Sequence, residues 1–467
     1  MLATQRAIGQ ARPMFKKVLI ANRAEVASRI ARTCKRLGSE TVAVYSDADL
    51  EGVHCQACDE AVRIGPEPLE LSYLSVEAVI TAATSTGADA IHPGYGMLSE
   101  SPEFAAAVKA AGIAFIGPSS EVIARLLDRI ETHEIAIAAG VRAVEGATSA
   151  VNSLEEAVNL AEEYGWPVVV KTARRGLGIP PCWAEDVGEL EVALARVREA
   201  LVERGLEARL YLERGLERAR HVEVEVLADV HGDVIALGER EVSVQREGRH
   251  LVEESPSPAF IGSDRAERTR EGICDAACRV VKEAGLVGAC SVEFLIDTRG
   301  EAYLLALRPR LQIAHGVTEV CANIDIVEAQ IAIAFGQPIP RDIQRAIPSG
   351  HAFEVRLTSE QVNKNFAPAS GVVQEVRWPN APPGRLRIEA CVQPGSKVGP
   401  PYDPTLAKII TYAPTRHAAL LLMDRVLAEC AVHPLPTNAS FLRRILNHEA
   451  FRAGHYDTSV VEQLLKK

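Results

Sequence analysis

The 467-residue chain has no apolar run approaching the roughly 18 residues needed to cross a bilayer. A membrane-spanning protein is therefore not expected. It also lacks an excess of base: 51 Lys and Arg stand against 62 Asp and Glu, for a net charge of −11. Binding to nucleic acid by phosphate neutralisation needs a clustered basic face, so no such partner is expected. Residues 1–14 carry Arg6 and Arg12 but no apolar segment of a secretory signal, and they read as a ragged extension. Ten cysteines are scattered along the chain, and the Cys55-x-x-Cys58 pair has no second pair at zinc-ribbon spacing. Free thiols in a reducing, cytoplasmic setting are expected. Internal repeats and low-complexity tracts are absent.

What remains is a globular composition, 47% apolar and 24% charged. The length suggests two to four domains at roughly 100–200 residues each. Residues 17–21 form a short apolar strand, 22–37 have helical apolar spacing closed by Gly38, and 41–45 are the next strand. A further strand at 88–92 runs into Pro93-Gly94-Tyr95-Gly96. Strands alternating with helices predict a doubly wound parallel sheet with ligands at its strand C-termini. A second block from about Gly140 contains an acidic helix at 153–164 and a β-branched strand at 167–171 ending in Lys171. From about Arg220 the pattern becomes alternating strands, at 221–227, 234–239 and 289–296, interrupted by a helix at 266–284. This predicts a mixed sheet in an α+β domain.

Ordered motifs then narrow the reading. They are Ile20-Ala21-Asn22-Arg23-Ala24-Glu25-Val26-Ala27, His92-Pro93-Gly94-Tyr95-Gly96-Met97-Leu98-Ser99-Glu100 and Phe115-Ile116-Gly117-Pro118, then Arg220-His221-Val222-Glu223-Val224, Gln245-Arg246, Val252-Glu253-Glu254, Val292-Glu293-Phe294-Leu295 and Tyr402-Asp403-Pro404-Thr405-Leu406-Ala407-Lys408. Together they resemble biotin carboxylase, of the ATP-grasp superfamily, over about residues 16–465. The resemblance implies an ATP-grasp fold with an α/β N-terminal domain at 14–128, a mobile lid domain at 129–219 and a C-terminal domain at 220–467. It also implies carboxylation of a carrier's biotin from Mg-ATP and bicarbonate. The chain has no Ala-Met-Lys-Met-like biotinylation site, so biotin is expected on a separate carrier and the chain as one subunit of an acyl-CoA or pyruvate carboxylase.

Several positions depart from the family's pattern. The glycine-rich lid loop reads Lys171-Thr172-Ala173-Arg174-Arg175-Gly176-Leu177-Gly178-Ile179-Pro180-Pro181, and two prolines remove amide donors that would wrap phosphate. Of the family's two metal carboxylates only Glu293 is kept, since Ala306 replaces the second and Arg308 the nearby asparagine. Ala314 stands where the resemblance places the glutamate that deprotonates bicarbonate, and His250, with Arg249 before it, where it places a lysine. Magnesium is expected to bind poorly or not at all.

Positions that do match are expected to border a nucleotide, namely Lys171, Arg129, Glu213, Arg214, Leu216, His221 and Glu293, or to be vestiges of the bicarbonate and biotin site, namely Arg310, Gln312 and Arg356. Simple packing accounts equally well for His221 and Glu223, and His315 reads as a fixed core histidine. Arg174-Arg175 reads as a solvated turn, whereas Arg310 and Arg356 require anionic partners if buried. Arg32 and Arg36 match an arginine–glutamate pair of the family's two-fold contact, and their like charges disfavour a homodimer. Three functions follow as expectations: a catalytically dead subunit with structural or regulatory work beside an active biotin carboxylase paralogue, a biotin carrier protein and a carboxyltransferase; an atypical biotin carboxylase or other ATP-grasp ligase; and a metal-independent nucleotide sensor.

Overall fold

The computed structural model describes residues 13–400 and 402–466, so Arg6 and Arg12 of the expected N-terminal extension lie outside the described residues. Strands β1 (Lys17–Ile20), β2 (Glu40–Ser46), β3 (Glu60–Gly65), β4 (Ala90–His92) and β5 (Ala114–Phe115) form a parallel sheet in the order β3-β2-β1-β4-β5. The order reverses between β1 and β4, the crevice that receives ligands in doubly wound sheets. Helix α1 (Ala24–Arg36) follows β1. Glu25 in its first turn and Lys35 and Arg36 in its last suit its dipole. At the sheet crest Asn22 Nδ2 donates to the carbonyls of Pro93 and Tyr95, each at 2.8 Å. Gly94 between them takes φ +65°, and a Cβ there would come to 3.0 Å from Asn22 and Val26.

The middle of the chain contains α2 (Arg129–Ala138), α3 (Leu154–Tyr164), β6 (Val168–Thr172), β7 (Cys182–Ala184), α4 (Val187–Val202) and β8 (Leu210–Arg214). The three strands form an antiparallel sheet, β7-β6-β8, sharing one apolar cluster with α3 and α4. Helix α2 was not foreseen. Asp128 caps it, accepting from the Ile130 amide at 2.8 Å.

The remainder is built on β9 (Arg220–Ala228), β10 (Val234–Arg246), β11 (Arg249–Ser255), α5 (Asp264–Glu283), β12 (Gly288–Ile296), β13 (Ala302–Arg308), α6 (His315–Ala322), α7 (Ile326–Ala334), β14 (His351–Thr358), β15 (Leu386–Ala390) and β16 (Thr405–Ala413). The eight strands lie in the order β13-β12-β9-β10-β11-β14-β16-β15. The expected fold class holds, while the strand direction within this sheet differs from the mixed arrangement anticipated: every pairing is antiparallel. Hairpins join β9, β10 and β11, and α5 returns the chain to the far side of β9, so no parallel crossover arises.

The sheet's two faces are set by strand alternation. Val222, Val224 and Val226 of β9 pack with Val292, Phe294 and Ile296 of β12 against Ile273, Ala277, Val280 and Val281 of α5. The intervening residues, His221, Glu223 and Glu225 on β9 and Ser291 and Glu293 on β12, face the other way and are buried. That second face is polar.

An ionic clamp joins α1 to this body. Buried Arg29 reaches Glu319 of α6 at 2.6 Å and Asp325 at 2.8 Å. Arg36 pairs with Asp325 at 2.8 Å and Glu328 at 2.7 Å, and Arg32 with Glu389 at 3.2 Å. Arg29→Ala leaves buried Glu319 with Arg387 alone and takes the buried cation from Asp325, and is expected to cost about 3 kcal/mol. Arg32, whose side chain is 60% exposed, is expected to cost under about 1 kcal/mol when replaced by alanine. Urea unfolding of the two variants reads the difference.

Candidate functional site

Strand register assembles the site from the sheet's polar face. Glu293 on β12 lies opposite both Glu223 of β9 and Ala306 of β13, and Glu223 lies opposite Arg240 of β10. Arg308 folds across from β13, and its Nε donates to Glu293 Oε1 at 2.6 Å. Burial alone would raise the Glu293 pKa, but Arg308 and His221 outweigh it and hold the carboxyl well below its ordinary value. His221 Nε2 approaches Glu293 Oε2 at 3.6 Å. Glu223 accepts from Arg240 Nε at 2.8 Å and from Gln312 Nε2 at 2.9 Å.

Arg310 bonds the Gln312 side chain and lies 3.3 Å from Glu100, and Arg356 meets Glu253 at 2.9 Å. Both arginines thus find their anionic partners within the chain. Ala306 and Ala314 are buried, at 1% and 0% exposure, so each presents a methyl group where a carboxylate was sought. Ala314 precedes α6, and His315 is wholly buried with Nδ1 2.9 Å from the Gln312 carbonyl, consistent with a fixed core histidine. His250 is pushed down to about 3 by burial, leaving a neutral imidazole, while Arg249 is exposed.

On the lid side Lys171 bonds Glu213, and burial draws its pKa down against that partner's pull. Arg129 donates to the Thr172 carbonyl at 3.0 Å. Arg214 lies 3.5 Å from Glu145, and Leu216 is half-buried just beyond β8. The solvated-turn reading of Arg174-Arg175 holds for Arg174 only. Arg175 is buried, because its guanidinium donates to Leu126 O at 3.2 Å, Thr132 Oγ1 at 3.0 Å and Leu305 O at 2.8 Å. Burial, with Arg129 and Arg308 nearby, brings it down to about 9.

Sequence reasoning missed Arg240, which is fully buried and also holds Glu225 at 2.8 Å. Glu223 and Glu225, two apart on one strand face, were the available signal for such a cation. It also missed Lys408, fully buried and bonded to the Ile313 carbonyl and to Glu389, each at 2.9 Å. Beside it Glu354 is fully buried, and neither of its oxygens has a hydrogen-bond partner.

Comparison with known proteins accords with this geometry. The chain matches the families described as biotin carboxylase, N-terminal domain (residues 14–123), carbamoyl-phosphate synthase L chain, ATP binding domain (128–342), and biotin carboxylase C-terminal domain (354–463). It is 40% identical to a biotin carboxylase of Halalkalibacterium halodurans over 97% of this chain and 98% of that one. It is 40% identical to the mitochondrial methylcrotonoyl-CoA carboxylase subunit alpha of Glycine max over 97% of this chain, but spans 61% of that relative's length. Among solved structures, the biotin carboxylase domain dimer of Hydrogenobacter thermophilus 2-oxoglutarate carboxylase, in complex with magnesium ADP, ADP and bicarbonate, shares 35% identity. Its TM-score is 0.91, over 96% of this chain and 98% of that one.

Two expectations are corrected. The expectation that magnesium binds poorly or not at all is overturned by that magnesium-ADP complex. The donor set here also fits a dication, since ligand atoms of His221, Glu223 and Glu293 lie within 4.8 Å of one another. The expectation overlooked the carboxylate that β9 brings beside Glu293. The case against a homodimer also falls, because the solved relative is a dimer and Arg32 and Arg36 are paired with carboxylates of their own chain.

Glu354 yields a pH test. Burial pushes its pKa up from 4.5 to about 8, against the pull of Lys408. Between those values the unfolded carboxyl is ionised while the folded one keeps its proton, so stability falls as pH rises through that window. Glu354→Gln is expected to flatten this fall, raising Tm relative to the parent at pH 8 more than at pH 5. Calorimetry across that range checks it.

Proposed function

Because the chain belongs to the biotin carboxylase family, we propose that it serves a biotin-dependent carboxylase as its biotin-carboxylase-like subunit without itself completing the carboxylation of biotin. Magnesium ATP, when bound as in the relatives, supplies the phosphoryl group that activates bicarbonate. Lys171, Arg129, Glu213, Arg214 and Leu216 border the nucleotide in this reading, with residues 129–219 as the lid, and His221 and Glu293 lie beneath its phosphates. Arg310, Gln312 and Arg356 face bicarbonate and biotin. Biotin arrives on a separate carrier protein, and a carboxyltransferase consumes the product.

The observation that carries the reading is Ala314. A methyl group at 0% exposure cannot take the proton of bicarbonate, and no other residue of the 310–315 segment offers a carboxylate. His250, neutral where the family has a lysine, removes a charge that would offset the reacting anions. Loss of one general base costs about 10²–10⁴ in rate. The subunit's contribution is then structural or regulatory, through nucleotide binding and contacts with its partners.

A second reading, an active ATP-dependent biotin carboxylase, is favoured by the retained Lys171, Glu213, Arg310, Gln312 and Arg356 and by the 40% identity to a biotin carboxylase of nearly equal length. Bicarbonate-dependent ATP hydrolysis with magnesium and free biotin separates the two. The parent chain is expected to stay at the blank, and the combined Ala306→Glu, Arg308→Asn and Ala314→Glu variant to gain about 10²-fold or more. Parent turnover that is abolished by Lys171→Ala would establish the second reading instead.

A further inference from the structure

The loop that follows β6 is fastened at both ends. Leu177 and Ile179 pack on the apolar cluster shared by β6, α3 and α4, and Arg204 bonds the Leu177 carbonyl. Pro180 and Pro181 then stiffen the run into β7. The other end leaves this unit altogether. The Arg175 amide donates to the Leu127 carbonyl at 2.8 Å, and the Arg129 amide returns a bond to the Ala173 carbonyl at 2.9 Å. The buried Arg175 guanidinium goes further, to Leu126 O at 3.2 Å, Thr132 Oγ1 at 3.0 Å and Leu305 O at 2.8 Å.

Each acceptor belongs to the body of the molecule, and each is free for a physical reason. Leu126 lies in the last turn of the helix Ser120–Leu127, where carbonyls lack intrahelical donors and the helix dipole suits a cation. Thr132 lies in α2, whose Ile135 and Ala136 pack in the cluster around α5, β9 and β12. On β13, Leu304 and Ala306 pair with Phe294 and Glu293 of β12, so Leu305 between them is a bulge residue without a partner across the ladder. A helix end, a second helix and a strand bulge thus converge on one planar fork of donors, which a lysine could not satisfy.

We propose that Arg175 is a latch that keeps the unit of β6, β7, β8, α3 and α4 docked on the body when no ligand is bound. The proposal rests on the reading of this part of the chain as a lid and reverses its resting state: a loop free to open and close becomes a strap. For the unit to swing away, a charged side chain must give up its buried acceptors. The backbone pair between residues 127–129 and 173–175 must break with it. Exposed Arg209, 2.9 Å from Asp128 across the same seam, adds little by comparison. A nucleotide would then reach Lys171 and Glu213 only during brief releases of the latch.

Hydrogen–deuterium exchange of the full chain, without nucleotide or metal, tests this on peptides covering residues 126–132 and 172–178. In the parent these amides are expected to exchange as slowly as those of β6 and β8. Arg175→Ala is expected to speed them by about tenfold or more, the worth of one hydrogen bond to a charged group, while β9 and β12 keep the parent's rates. Arg175→Lys keeps the charge without the fork and is expected to fall between, and Arg174→Ala, at the exposed neighbour, to match the parent. Should Arg175→Ala fail to fold, Thr132→Val removes one acceptor and is expected to shift the same peptides in the same direction. Parent peptides that already exchange like exposed loops, or rates left unchanged by both Arg175→Lys and Thr132→Val, would overturn the latch. Exchange in the ligand-free chain is read whether or not the chain binds nucleotide or carboxylates biotin, so this test and that of the proposed function fail independently.

Discussion

The contact between Arg308 and Glu293 organises the site. It spans two neighbouring strands whose register sets Ala306 directly opposite Glu293, so the one carboxylate there is met by an arginine reaching in from two residues further along the strand. The burial that would neutralise a lone glutamate is overcome by this partner, and Glu293 stays charged. That charge in turn orients His221 and, through the sheet register, sits beside Glu223, whose own charge requires Arg240. Removing the arginine would leave buried like charges facing one another.

The same logic extends across the sheet. Glu253 is held by Arg356, Glu389 by Lys408 and Arg387, and Glu319 by Arg29 and Arg387, so the polar face is a lattice of alternating charge beneath α6. Individual buried pairs of this kind are weak evidence for stability, because desolvation offsets their attraction. Their stronger consequence is geometric. They fix where each side chain stands, and they join α1 of the first sheet to the second sheet through Arg29. A site built this way holds its shape through many contacts, consistent with a fold that matches the Hydrogenobacter thermophilus biotin carboxylase domain at a TM-score of 0.91.

Most of the fold was legible in the sequence because its elements carry strong local signals. Helix α1 ended near Gly38 as its apolar spacing indicated, and the valines of β9 alternated with ionisable residues as a half-polar strand requires. Helix α2 was missed because its start lies at Asp128-Arg129, at the boundary between the first two expected domains, where only the Asp128 cap marked it. Strand direction in the large sheet was not legible, since it depends on where α5 returns the chain. At the site, the readings of Ala306, Arg308, Ala314 and His250 rest on the resemblance to the family rather than on any local pattern. Arg175 and Arg240 were not read correctly, because what fixes them, the carbonyls of Leu126 and Leu305 and the paired glutamates of β9, comes from segments distant in the chain.

In the proposed reading, a buried methyl at residue 314 and a neutral imidazole at residue 250 leave bicarbonate unactivated within an otherwise family-like site. The most direct measurement is transfer of radiolabelled carbon from bicarbonate to free biotin by the unmodified chain, supplied with magnesium ATP and followed as carboxybiotin trapped as its methyl ester, since the free N-carboxylate loses carbon dioxide in acid. Label no higher than in a reaction without protein is expected. Carboxybiotin accumulating in proportion to the chain, and dependent on ATP, would contradict it.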